Sequence, residues 1–263
     1  SAFCVRCARV SIIAVFNLQG GVGNTTTALN LLAAIAQRGA RPLGIDLDPQ
    51  AHLSHILGVE PRSPDATMFA FFMQQRPIDE IATITASGVM LCPAHLDLAK
   101  IDALLGKGVN IITRLRLALR DKALPPMPVV IDCGPLLNAL SLNAVFACDL
   151  VLVPVSADYL SLQGAKEVER ALNALEPVFK RRLPRRYLLT RYDLRRKMSA
   201  EIDATMRATF RPEEVCETRI RENAKLAESP SLRLDIFRHA PSSRGAHDYA
   251  ALAAELAAHG FVR

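Results

Sequence analysis

A chain of 263 residues, half of them apolar, is long enough to bury a full α/β core, which sets aside the small folds that need disulfide or zinc staples. Sixteen prolines and thirteen glycines are dispersed rather than clustered, so no linker, repeat or low-complexity segment is expected, and residues 10–263 read as one domain after an extension of residues 1–9. The formal charge of +6 favours an anionic partner.

The extension carries Cys4 and Cys7 as one Cys-x-x-Cys, with neither a second pair nor histidines at ligand spacing, so no zinc site is expected. The remaining cysteines, Cys92, Cys133, Cys148 and Cys216, are scattered, several of them in apolar runs, which fits a reducing compartment. The apolar run at 10–16 follows arginines but is too short to span a bilayer and leads straight into a glycine loop, so it reads as a first strand rather than a leader peptide. Further continuous apolar runs predict strands at 42–45, 89–92, 129–131, 150–155 and 187–189, buried on both faces. Helical patterns lie between and after them, at 25–37, 97–105, 111–121, 160–175, 199–210 and 243–258, the last ending at Gly260. Strand followed by helix, repeated, predicts a doubly wound, mostly parallel α/β sheet.

Three motifs fall at one edge of that sheet. After the first strand comes Gln19-Gly20-Gly21-Val22-Gly23-Asn24-Thr25-Thr26, followed at once by a helix. Glycines allow backbone N–H groups to converge on a phosphate, and the helix N-terminus adds its partial positive charge to the same point. Asp46 and Asp48 end the second strand and Asp132 ends the one at 129–131, where open α/β sheets bind ligands. Singly, each aspartate would read as a cap or a turn residue.

The loop resembles the deviant Walker A motif of the ParA/MinD family, P-loop proteins of the SIMIBI type, and Asp46-Leu47-Asp48-Pro49-Gln50 looks like the family's second signature. Segments 92–99, 140–155, 188–193, 223–230 and 241–246 resemble ParA segments in the same order. The resemblance implies ATP or ADP with Mg2+ held by Gln19 to Thr26, Thr25 on the metal, and Asp132 as the Walker B aspartate holding it through water. It further implies that Asp46 supports the metal shell, Asp48 positions the attacking water and Asn223 lies by the adenine. Family members form nucleotide-dependent homodimers, bind DNA nonspecifically and act with a ParB-like or cargo-adaptor protein in chromosome or plasmid partition. A cytoplasmic, nucleoid-associated protein is therefore expected.

Two lysines of the family pattern are missing: Gln19 and Asn24 stand in their places. Hydrogen bonds to charged groups contribute about 1.5–3 kcal/mol each, so losing two costs roughly 3–6 kcal/mol. That is a factor on the order of 10² to 10⁴ in binding if nothing compensates. Weakened nucleotide binding and slow or absent hydrolysis are expected, since fixed cations act most strongly where charge develops in phosphoryl transfer. Two unlike replacements, with Gly134 where the family carries proline, point to natural divergence. The alternative is a pseudo-ATPase scaffold like relatives that act in cellulose secretion.

From residue 180 to 197 the chain has nine basic residues and one acidic. Arg191, Arg195, Arg196 and Lys197 are the expected contacts to DNA phosphates, Arg195 matching a position that resembles a DNA-contacting arginine of the family. The C-terminal helix is alanine-rich with almost no basic face, so no membrane partner is expected. The six histidines form no metal or triad pattern.

Overall fold

The computed structural model describes residues 11–106, 108–121 and 124–262. The extension, Cys4 and Cys7 lie outside the described residues. Eight described strands form one sheet: β1 (Ile12–Val15), β2 (Leu43–Asp46), β3 (Thr83–Ile84), β4 (Met90–Cys92), β5 (Val129–Asp132), β6 (Leu150–Ser156), β7 (Arg185–Tyr192) and β8 (Val215–Arg221). Their spatial order is β3-β4-β2-β5-β1-β6-β7-β8, and every neighbouring pair is parallel except β3 with β4.

The longer helices are α1 (Asn24–Gln37), α2 (Ala139–Ala147), α3 (Tyr159–Phe179), α4 (Lys197–Thr209) and α5 (Arg244–Ala258). Side chains alternate across a strand, so Ile12, Ala14 and Phe16 enter the core shared with α2, α3 and α4, while Ile13 and Val15 enter the one shared with α1 and α5. A strand buried on both sides must be apolar throughout, which is why β1, β2, β5 and β6 were legible as continuous runs. Gly44 in β2 has a spatial cause: a Cβ there would lie 2.9 Å from Leu32 Cδ1 of α1.

All six predicted strands are present. β8 was not expected because Val-Cys-Glu-Thr-Arg-Ile-Arg mixes charge into an edge strand, and the two residues of β3 are both exposed. The predicted helix at 111–121 is broken into Val109–Ile112 and Arg114–Leu119, with the Thr113 hydroxyl donating back to the Val109 carbonyl at the joint. That at 97–105 begins as a 3-10 turn, Leu96–Lys100, before Ile101–Leu105. α2 escaped the periodicity because nearly all its residues are buried. Its start is nonetheless written locally, since Asn138 Oδ1 accepts from Leu140 N and Ser141 N, and Ser141 Oγ accepts from Asn138 N. Cys92, Cys133, Cys148 and Cys216 are free and buried.

Candidate functional site

β1 lies between β5 and β6 in the sheet, so the loop leaving it opens at the carboxyl edge between two crossovers of opposite direction. Asn17 anchors the loop: buried, it donates from Nδ2 to the Pro154 carbonyl at 2.7 Å and accepts from Gln19 N at 3.0 Å. Gly21 (φ 78) and Gly23 (φ 97) hold left-handed conformations with open space around them, so the backbone rather than crowding demands glycine there. α3 closes on the loop at Gly164, where a Cβ would stand 2.8 Å from both Asn17 Oδ1 and Gln19 Cβ. From β7, Thr190 Oγ1 donates to the Val22 carbonyl at 2.9 Å. Thus clamped, the loop runs into α1, whose first turn has neither a side-chain cap nor an acidic residue. Its first N–H groups are left to an anionic ligand or water.

The predicted aspartates come together beside it. Asp46 and Asp132 are register partners across β2 and β5, and Asp132 is also the partner of Val15 at the end of β1. Asp46 is fully buried but well satisfied: Oδ1 accepts from Asp48 N at 3.1 Å, and Oδ2 from Ser54 N at 2.9 Å and Ser54 Oγ at 2.7 Å. Burial outweighs these bonds and raises its pKa to about 7. Asp132 is also fully buried, and neither carboxylate oxygen has a hydrogen-bond partner. Burial, then repulsion from Asp46, pushes Asp132 well above the carboxylate range, with the nearby Thr25 hydroxyl opposing the rise and Asp48 adding to it. Asp48 is partly exposed, accepts from Gln50 N at 2.9 Å, and sits over Gly134, where a Cβ would lie 3.3 Å from its carboxylate.

Asn24 illustrates what replaces the lysine. Its Nδ2 makes a long bond of 3.4 Å to the Asn17 carbonyl, and its Oδ1 is buried with no partner. Three orphaned buried oxygens therefore occur around the loop, two on Asp132 and one on Asn24, and no arginine or lysine pairs with Asp46, Asp48 or Asp132 among the described residues. Carboxylate and hydroxyl oxygens with open valence suit a hard divalent cation, and the Asp132 carboxylate and Thr25 hydroxyl are of that kind, with the already hydrogen-bonded Asp46 beside them. Gly20 and Gly21 are exposed at the loop crest, and Gln19, Asn24, Thr25 and Thr26 are half-buried around it.

Against the loop, the ends of β7 and β8 enclose a pocket whose walls include Thr26, Arg191, Ile220, Arg221, Asn223 and Tyr249. Asn223 reaches this pocket while its side chain caps the short helix Ala224–Glu228, accepting from Lys225 N at 2.9 Å. Asn223 thus both lines the pocket and caps that helix. Asn17, Ser54, Gly164 and Thr190, which orient the loop and Asp46, were missed, because no spacing rule links residues brought together only by the sheet.

The basic run divides in three. Arg185 is fully buried, with ion pairs to Glu169 and Glu176, and Arg182 pairs with Glu169 and Glu214. Those two hold α3 against β7, so residues 180–197 do not form one anion-binding cluster. Arg195, Arg196 and Lys197 lie on the exposed turn before and at the start of α4. Arg195 grips Asp193 through Nε and Nη2, both at 3.0 Å, and pulls that carboxyl down to about 2, yet its side chain is 88% exposed. Arg191 stands apart in the pocket wall, with a left-handed φ of 52.

A family model described as an AAA domain matches residues 10–184. The chromosome-partitioning ATPase Soj of Thermus thermophilus is 40% identical over 255 residues, covering 95% of this chain and 97% of the relative. The chromosome partitioning protein ParA of Myxococcus xanthus is 33% identical over 247 residues, covering 93% and 87%. Among solved structures, cobyrinic acid a,c-diamide synthase of Mycobacterium smegmatis with bound ATP analog and magnesium superimposes with a TM-score of 0.80 at 27% identity, covering 95% of this chain and 96% of that one. The fold, the loop between β1 and α1 and likeness along nearly the whole chain agree: this chain belongs to the ParA/MinD family.

Proposed function

We propose that the chain is a ParA-like partition or cargo-positioning protein that takes adenine nucleotide with Mg2+ weakly and hydrolyses it slowly or not at all. The observation that carries this reading is Asp132, whose two buried oxygens lack partners beside a clamped glycine loop that has no cation of its own. Thr25 and Asp132 would hold the metal, Asp46 would support it, and Asp48, partly exposed at the mouth, would orient a water. The loop N–H groups from Gly20 to Thr26 would bind the phosphates, with Asn223 by the base. Bound Mg2+ would neutralise phosphate charge. Slow turnover follows because Gln19 and Asn24 supply dipoles where fixed positive charge would act on the transition state.

Partition is supported by the names of the relatives, Soj and ParA. Self-association across the nucleotide face is supported by Leu136 and Leu137 after β5 and by Tyr159 and Leu160 at the start of α3, all exposed at the carboxyl edge of the sheet. Nonspecific DNA binding is assigned to Arg195, Arg196 and Lys197, whose exposure leaves them free to exchange a carboxylate for a phosphate. A ParB-like or adaptor protein would complete the cycle in a cytoplasmic, nucleoid-associated setting.

Calorimetric titration with ATP and ADP in the presence of Mg2+ tests the reading. Dissociation constants in the micromolar range support it. No heat at millimolar nucleotide sinks it and leaves the second reading, a nucleotide-independent scaffold, which the loss of both loop lysines favours.

A further inference from the structure

Ser54 lies in the short helix His52–Ile56, is buried, and is fixed by three hydrogen bonds. Its backbone N–H and its hydroxyl both donate to Asp46 Oδ2, at 2.9 and 2.7 Å, and its Oγ accepts from Ala94 N at 3.0 Å. The third bond decides where the hydroxyl proton points. A backbone N–H can only donate, so Oγ spends a lone pair on Ala94 and its single proton is left for Asp46. Ala94 follows β4, Asp46 ends β2, and Asp132 is the register partner of Asp46 on β5. Adjacent strands lie about 4.8 Å apart, so the bonds through Ser54 run from the exit of β4 to the carboxyl that flanks Asp132.

A carboxylate offers about four lone-pair positions. On Asp46 both positions of Oδ2 are taken by Ser54 and one of Oδ1 by Asp48 N, which leaves one position, on Oδ1. The two neighbouring carboxyls therefore differ: Asp132 is open at both oxygens, and Asp46 is held in one orientation with a single acceptor position to spare. Without the Ser54 hydroxyl, Asp46 would keep only backbone donors and lose the contact that reaches back to β4. Groups that orient a metal-supporting carboxylate govern metal affinity although they never touch the ion. We propose that Ser54 is a positioning residue for Mg2+, locking the Asp46 carboxylate in the orientation that supports a cation on Thr25 and Asp132. This rests on the nucleotide reading given above.

The test is calorimetry of ADP, in Mg2+ and in EDTA, on the full chain and on Ser54→Ala and Ser54→Thr. The ratio of the dissociation constant in EDTA to that in Mg2+ isolates what the cation contributes. Removing an orienting partner costs about ten- to a hundredfold in metal affinity, so the ratio should fall by that factor in Ser54→Ala, with the affinity in EDTA within about twofold of the parent. Ser54→Thr keeps the hydroxyl and should recover most of the ratio. Ser54→Ala also strands the Ala94 N–H, and a purely structural role would lower affinity equally in Mg2+ and in EDTA. That outcome overturns the assignment, as does a ratio in Ser54→Ala equal to the parent's. Should Ser54→Ala not fold, Ser54→Cys, close in shape with a weaker donor, carries the same comparison. A parent chain that binds no ADP, or binds it equally with and without Mg2+, brings down the broader reading and this assignment together, a different result from a ratio shared by parent and variant.

Discussion

Asp132 ends β5 with both oxygens buried and unpartnered, a condition that costs about 1–3 kcal/mol for a neutral group and more for a charged one. The cost is tolerable because the carboxyl is held protonated well above its ordinary range, as Asp46 is up to about 7 from an ordinary 3.8. A carboxyl whose folded pKa is raised contributes stability that is complete below its unfolded value and fades as pH climbs through the folded one. The unliganded protein should therefore lose stability between pH 3.8 and about 7 through Asp46, with Asp132 acting in the same direction. Asp132→Asn removes one of these groups, so urea unfolding at pH 5.5 and 7.5 should show a flatter pH dependence and a chain at least about 1 kcal/mol more stable at the higher pH. A variant less stable than its parent at pH 7.5 would show that the carboxylate has a partner. Asn24→Lys addresses the neighbouring deficit. Restoring one cation to the loop should tighten ATP binding about ten- to a hundredfold and raise phosphate release in a steady-state assay. Unchanged turnover would show that Asn24 does not limit hydrolysis.

Between α3 and β7 the charges hold the fold. Arg185 donates to Glu169 and Glu176, Arg182 to Glu169 and Glu214, and Tyr187 to Glu169, so three basic or phenolic groups converge on one helix face. Against the burial that would raise it, hydrogen bonds from Tyr187 and Arg185 draw Glu169 down to about 2. That contribution is present above the ordinary value of 4.5 and is lost as pH falls through about 2, so the network should yield in acid. Arg185→Met strands carboxylates in a partly buried site and should cost about 3–5 kcal/mol in urea unfolding, with nucleotide affinity within twofold of the parent. A cost below about 1 kcal/mol would mean that the carboxylates find water. A run of arginines in sequence looks uniform, and only the packing of α3 on β7 separates those that hold the fold from those that face solvent. The edge strands show the same limit: β8 carries two arginines and a glutamate because one of its sides meets water, so its pattern does not stand out as β1 or β6 does.

At the scale of the whole molecule, the site edge and the basic turn belong to one strand. β7 carries Thr190 against the phosphate loop and delivers Arg195, Arg196 and Lys197 a few residues later. Replacing those three by alanine should weaken nonspecific DNA binding and lower the slope of log affinity against log salt by up to about 3, near 0.9 for each phosphate no longer neutralised. Filter binding across a salt series measures this; an unchanged slope would move the DNA surface elsewhere. Thermal stability at neutral pH should fall as well, since Arg195 and Arg196 pair with the largely buried Asp193, whereas the exposed Lys197–Glu201 pair contributes little.

The sequence alone determined the parallel α/β sheet, because strands buried on both faces have to be apolar throughout. It also placed the glycine loop and three aspartates at one edge, because crossovers bring the ends of parallel strands together. The tertiary structure decided the rest: which arginine is core, which is exposed, and which lines the pocket. It decided too that Asn17, Ser54, Gly164 and Thr190 shape the site, since contacts between residues far apart in the chain follow from strand order and helix packing rather than local pattern.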